Sequence, residues 1–218
     1  MAQSAAFLWS QMPALLAGFV TTLVLAVAAA PLALFLALPL TALRLAGPLP
    51  LRAAALGYIE LMRDTPLLVQ MYLIYFGLPV LGLFPSELTC GVGAIAVQHA
   101  AFFAEIYRGG LQAVSPRQWE AARAIGMRRR TALRVIVLPQ ALMRILGPLG
   151  NQLIVLVKDT SIVSAIGVVE LTMSGKMVIE RTAASAEVFV AVALLYFVLT
   201  TLLGGAVRLA ERRAVARM

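Results

Sequence analysis

"EAARAIGMRRRTALRVIVLP", Glu120 to Pro139, carries five arginines in twenty residues and is flanked on both sides by strongly apolar sequence. The chain around it has 218 residues, 61% of them hydrophobic and 13% charged, with a mean hydropathy of +0.93. Soluble domains carry about 45–50% apolar residues, so this composition belongs to an integral membrane protein. The net charge of +8 would suggest nucleic acid in a soluble chain. Here the arginines stand beside apolar runs, where they orient a protein in a bilayer, and nucleic acid is not an expected partner. Cys90 stands alone and cannot form an internal disulfide, and no Cys/His spacing resembles a metal site.

Working outward, segments near the length of about 20 apolar residues that crosses a bilayer predict an all-α polytopic helical bundle of about five spans. They are Met12 to Leu43, Ala53 to Leu81, Thr89 to Ala113, Arg134 to Val157 and Val188 to Leu209. The "AVAAAP" near Pro31 imitates a signal-peptide cleavage site, but no Lys or Arg precedes the apolar run and the run continues to Leu43, so it reads as a retained first span. "SIVSAIGVV", within 158–187, is too short to cross alone and reads as a re-entrant segment or a helix extension.

Arginine placement sets the expected orientation. Arg44 and Arg52, then Arg117, Arg123 and Arg128 to Arg130, then Arg208, Arg212, Arg213 and Arg217 fall on one side of a five-span layout. The positive-inside rule makes that side the cytoplasm, with the amino terminus outside and the carboxyl terminus inside. The opening stretch is then cytoplasmic. Ser115, Pro116 and Gln118 predict a helix start with a Ser cap and a capping-box Gln, and Gly126 predicts its end. The expected product is a stiff helix from Pro116 to Ile125 in a loop spanning about 115–132, and Pro139 predicts a kink or break beyond it. The same pattern fits an ordinary amphipathic interfacial helix.

The polar residues inside the apolar segments are the other signal, because ionisable groups in a membrane face a partner or a watered cavity. Glu60, Arg63 and Asp64 form one set, read either as a structural ion cluster or as part of a solute path. Gln98, His99 and Glu105 lie in the third span, with His99 read as a hydrogen-bonded structural residue and Glu105 spaced to pair with Arg108. Asn151 and Gln152 follow Pro148. Lys158, Asp159, Thr160 and Ser161 are the preferred solute contacts, since an ammonium and a carboxylate could meet the ends of a zwitterion; the competing reading is a snorkelling Lys158 paired with Asp159.

Two other function classes find less support. An intramembrane serine protease using His99 would need a nucleophilic serine in a Gly-x-Ser turn, and none occurs. An ion-driven secondary transporter would usually show an internal repeat, and the five spans show none, so a second subunit has to supply the other half of the path. "SGKM" at Ser174 to Met177 lacks the first glycine of a phosphate loop, Glu170 standing there, and Met177 replaces the magnesium-binding hydroxyl.

Glu120-Ala121-Ala122, three residues, Gly126, nine residues, then Ile136-x-Leu138-Pro139 resembles the EAA signature of the membrane subunits of bacterial ABC importers. "YIELMRDTPLLVQMYLIYFGLP", "AAFFAEIYRGGLQAVSPRQWEAARAIGM" and "LPQALMRILGPLGNQLIVLVKDTSIVSAIGVVEL" resemble, more narrowly, the polar amino acid subfamily of histidine, glutamine, glutamate, arginine and opine permeases. The resemblance covers about Tyr58 to Leu171. It departs at Arg63-Asp64-Thr65-Pro66, where the family usually has Arg-Gly-Thr-Pro. It implies a single transmembrane permease domain of the type I importer fold over 1–218, in the bacterial inner membrane, with no enzymatic activity and no cofactor on this chain. It implies a coupling helix in which Glu120, Ala121, Ala122 and Gly126 meet a cytoplasmic ATPase that carries ATP and magnesium. The implied partners are a second permease chain, identical or similar, two ATP-binding subunits, an external solute-binding protein, an amino acid solute and membrane lipid.

Overall fold

A computed structural model describes residues 2–215 and is helical throughout, without strands among those residues. Nine α-helices run in the order α1 (Ala2–Ala46), α2 (Leu49–Asp64), α3 (Leu67–Val80), α4 (Glu87–Gln112), α5 (Pro116–Ala124), α6 (Arg129–Ala132), α7 (Leu138–Asp159), α8 (Leu171–Thr182) and α9 (Ser185–Val215). Four helical runs are long and apolar enough to cross a membrane: Phe7–Ala46, Glu87–Gln112, Arg129–Ile166 and Ala186–Ala214.

The expected second span, Ala53 to Leu81, is corrected: it is two helices, not one. Thr65 has extended backbone (φ −109°, ψ 142°) and ends α2, and Pro66 opens α3. The reason lies in the proline. A residue before proline is pushed out of the α region, and proline lacks the N–H that would bond four residues back. The carbonyl of Met62 is thereby freed inside an apolar bundle, where it needs another donor.

Helix α4 is the centre of the bundle. Its windows of small residues (Ala94, Ala100, Ala101, Ala104) are buried and lie against Ala29, Ala33 and Ala37 of α1, which follow one another every four residues on a single face. Side chains this small let the two backbones approach closely, the usual way for helices to associate in lipid. Thr41 continues the same face and donates to Ala104 O at 3.2 Å as well as to Ala37 O. Leu25, Ile59, Met71, Ile95, Phe103 and Leu156 fill the rest of this core. The large apolar side chains that remain exposed on α1, α3 and α9, such as Val27, Phe35, Leu73 and Phe197, suit a surface surrounded by acyl chains.

The segment after α7 is the helix extension rather than a re-entrant loop. It tightens into a 3₁₀ helix over Thr160–Ile166 and stops at Gly167, whose φ of +91° reverses the chain. Glu170 then caps α8, accepting from Thr172 N and Met173 N at 2.8 Å each, and it also accepts from the Tyr196 hydroxyl. Burial pushes its carboxyl above the ordinary carboxylate range, and these donors oppose the rise. Ser174 to Met177 are interior positions of α8, so that glycine belongs to no phosphate loop.

Candidate solute path and coupling helix

The break between α2 and α3 organises a polar site along α4. Gln98, Phe102 and Glu105 stand at i, i+4 and i+7, one line along that helix. At the top of the line, Gln98 Nε2 donates to the carbonyls of Met62 (3.2 Å) and Thr65 (3.0 Å). Gln70 of α3 donates to the same two carbonyls, at 3.0 and 3.2 Å, and to the Thr65 hydroxyl. Two amides thus satisfy the carbonyls that Pro66 and the chain break leave open.

Next to Gln98, the buried imidazole of His99 bridges to α7. Its Nδ1 lies 3.0 Å from Gln152 Nε2 and its Nε2 lies 3.1 Å from Asp159 Oδ2. An amide N–H can only donate, so Nδ1 accepts, and Nε2 carries the proton that is donated to Asp159. The adjacent residues 98 and 99 therefore tie the broken helix to the end of α7. His99 has the structural role expected of it, while Asp159 pairs with His99 and not with Lys158. That corrects the snorkelling-pair reading. Lys158 is exposed, Thr160 is buried with its hydroxyl on Val157 O, and Ser161 donates to Lys158 O.

The second set of candidates is placed differently from the ion-cluster reading. Glu60, Arg63 and Asp64 are all exposed and make no ion pair with one another. The guanidinium of Arg63 instead lies 5.5 Å from the centroid of the Phe102 ring, a cation–π contact. Lower on the α4 line, Arg108 holds Glu105 with both Nε and Nη2, the latter at 2.7 Å, and Arg44 of α1 reaches the same carboxylate at 3.1 Å. The Arg44 Nε approach is within ion-pair range but is not aligned as a hydrogen bond. The expected Glu105–Arg108 pair is present, and Arg44 extends it between α1 and α4.

Beyond Gln112 the chain leaves the bundle for α5, which occupies Pro116–Ala124 as the start and stop signals indicate. The capping box does not form: Ser115 makes no side-chain cap, and the Gln118 side chain meets Gln140 instead. Gly126 has φ +77°, the left-handed conformation expected of the closing residue. Ala122 is buried, whereas Glu120, Ala121 and Gly126 are exposed and Ile125 is 74% exposed. Glu120 forms no ion pair with Arg123. A small cluster of Val114, Val137 and Ala141, with Leu111, Trp119 and Leu133 around it, holds the inner side of α5 against the membrane helices. The kink expected near Pro139 is a π-helical turn over Leu133–Val137, in which Leu138 N reaches back to Leu133 O. Such wide turns often mark functional positions in helices.

This arrangement coincides with a described family. The model of the binding-protein-dependent transport system inner membrane component matches residues 40–215. The chain belongs to that family. The permease chain is 38% identical over 209 residues to the nopaline transport system permease protein NocM of Agrobacterium fabrum, covering 91% of this chain and 87% of the relative. It is 40% identical over 161 residues to the glutamine transport system permease protein GlnP of Escherichia coli, covering 73% and 74% of the two chains. A crystal structure of an amino acid ABC transporter with histidines superposes with a TM-score of 0.91 at 38% identity, over 95% of this chain and 97% of that one. The fold is that of type I ABC importer permeases, and the resemblance to the polar amino acid subfamily holds. The permease is a multi-pass inner-membrane transport subunit and not an enzyme. Permeases of this family work with ATPase and binding-protein partners.

Sequence alone pointed to Gln98, His99, Gln152 and Asp159 separately. It missed Gln70, Phe102 and Arg44. Gln70 had a usable signal, a lone amide four residues after the helix-breaking Pro66; Phe102 and Arg44 had none, since their roles depend on tertiary neighbours.

Proposed function

We propose that this chain forms, with a second permease chain, the solute path of an ATP-driven importer for polar amino acids, and that α5 couples the path to a cytoplasmic ATPase. The observation that carries the reading is α5 itself: a short helix outside the bundle, buttressed from within by Trp119, Val114 and Val137, with Ile125 and Gly126 turned outward. Glu120, Ala121 and Gly126 supply the ATPase contact, whereas Ala122, expected in the same surface, is buried and packs α5 from within. Exposed small side chains let a partner approach closely, and the π turn and α7 carry the motion inward to Asp159.

In this reading two ATP-binding subunits hold ATP and magnesium, no cofactor binds the permease, and a solute-binding protein delivers the amino acid from outside. The amino terminus lies outside and the carboxyl terminus inside. Solute passes Asp159, Lys158, Thr160 and Ser161 from α7 and its extension, and Arg63 with Glu60 and Asp64 from α2. Asp159 suits an ammonium because its Oδ1 has no partner among the described residues, and Arg63 suits a carboxylate because Phe102 steadies it without neutralising it. The relatives' names, nopaline and glutamine, support a zwitterionic solute.

The test is Gly126→Val in the complete complex. A β-branched residue at φ +77° is strained by about 1–2 kcal/mol, enough to redirect α5 but not to unfold the bundle. Membrane insertion and solute affinity of the binding protein should be unchanged, while transport is abolished and ATPase co-purification weakens. Normal ATPase capture with normal transport would refute the coupling role.

A further inference from the structure

A cavity lies between α1 and α8, lined mainly by apolar side chains, with Thr21, Ser174 and Arg181 as its polar members. It measures about 260 Å³ and is lined by Ala14, Ala17, Gly18 and Thr21 of α1, by Val169, and by Ser174, Met177, Val178 and Arg181 of α8. The α8 residues stand at i, i+3, i+4 and i+7, a single helical face, whereas Lys176 and Glu180 project elsewhere and are exposed.

Three features of this cavity belong together. Ser174 is only 5% exposed, and its hydroxyl donates to no acceptor among the described residues. It presses against Gly18, where an added Cβ would lie 2.2 Å from Ser174 Oγ, so α1 admits the hydroxyl only because position 18 has no side chain. Arg181 closes the rim as an exposed guanidinium with no ion pair among the described residues.

Depth identifies the surroundings. Arg44, at the far end of α1, pairs with Glu105 on the side from which α5 emerges. Gly18 is 26 residues earlier in the same helix, about 39 Å away at 1.5 Å per residue. A bilayer measures about 40–45 Å including its headgroups, so the cavity sits at the opposite polar interface. From Thr21 towards the membrane interior, α1 continues this face with Val24, Ala28, Leu32 and Phe35, all exposed and apolar at steps of three or four residues.

We infer that the α1–α8 cavity is a binding site for an anionic membrane phospholipid, whose phosphate is held by Arg181 and Ser174 and whose acyl chain lies along Val24, Ala28, Leu32 and Phe35. The cation and the hydroxyl match phosphate oxygens, and the exposed stripe matches hydrocarbon over the depth where an acyl chain runs. The inference is independent of the solute carried and of the coupling role of α5.

Native mass spectrometry of the purified permease complex with added phosphatidylglycerol tests it. One phosphatidylglycerol per permease chain should be retained in preference to phosphatidylcholine. Arg181→Gln should weaken that binding about tenfold, the usual scale for a lost charge-assisted bond, and Lys176→Gln, the same charge change off the face, should leave it unaltered. Ala17→Leu fills the cavity without touching charge and should also expel the lipid. Equal effects of Arg181→Gln and Lys176→Gln would overturn the inference. So would displacement of the lipid by millimolar inorganic phosphate, which would mark a free-anion site, or cross-linking of Ala17→Cys to a second permease chain, which would put protein in the cavity.

Discussion

The carboxyl end and the middle of α4 are built on opposite principles. At its carboxyl end the chain steps out into α5, a local element whose start, stop and exposed face follow from residues next to one another in sequence. In its middle, Gln98 and His99 gather partners from 33 to 60 residues away, on α2, the α2–α3 break and α7. The first region is open and depends on backbone conformation; the second is buried and depends on every hydrogen bond being made. Unpaired polar groups in a membrane interior are costly, so the middle of α4 tolerates little change, whereas the α5 end tolerates much in stability and little in function.

Substitutions can break or sharpen that contrast. The largest effect is expected from Gly126→Val, which should abolish uptake by reconstituted complex while thermal unfolding reports no more than the local strain of about 1–2 kcal/mol. A loss of stability well beyond that strain would erase the distinction between the two regions. His99→Ala should act in the opposite way: it strands Gln152 and Asp159 and opens a cavity, lowering stability by about 2–4 kcal/mol in thermal unfolding in detergent, while ATPase capture by folded protein persists. Gln70→Leu removes one of the two amides that serve the carbonyls of Met62 and Thr65. With Gln98 still in place the cost should be about 1–2 kcal/mol, and the double variant with Gln98→Leu should cost more than the sum of the two.

Asp159→Asn keeps a side chain for His99 to meet but removes the charge. Uptake should fall about tenfold, in line with the loss of one charge-assisted hydrogen bond, with assembly and ATPase capture intact. If Asp159→Asn and Lys158→Gln both transport at the parent rate, the solute contacts lie at Arg63 and its neighbours. The smallest effect concerns Glu170. Its folded pKa is raised, so the native state keeps a proton that the unfolded chain has already lost; the resulting stability is fully present below the ordinary carboxylate pKa and is lost as pH rises through the folded value. Glu170→Gln should flatten that pH dependence of the melting temperature.

The same contrast explains what was legible in sequence. Gly126, Pro116 and the apolar runs declare themselves because their effects are local, and α5 ends within a residue of its expected limit. The break at Pro66 is not local in this sense: the full separation into α2 and α3 depends on Gln70 and Gln98 being available to serve both Met62 O and Thr65 O. The competing reading of Asp159 as the partner of Lys158 fails for a similar reason: Lys158 is adjacent in sequence, but successive residues on a helix point about 100° apart, and the imidazole from α4 lies beside Asp159.

Cysteine placed at Ile125 tests the central claim most directly. The one native cysteine, Cys90, is buried and gives little background. In the complete complex, Ile125→Cys treated with a short bifunctional thiol-to-amine reagent should form a covalent adduct with the ATP-binding subunit, and Gly126→Val in the same chain should reduce it. An adduct with the external solute-binding protein, or no adduct with the ATPase while transport remains normal, would contradict the account.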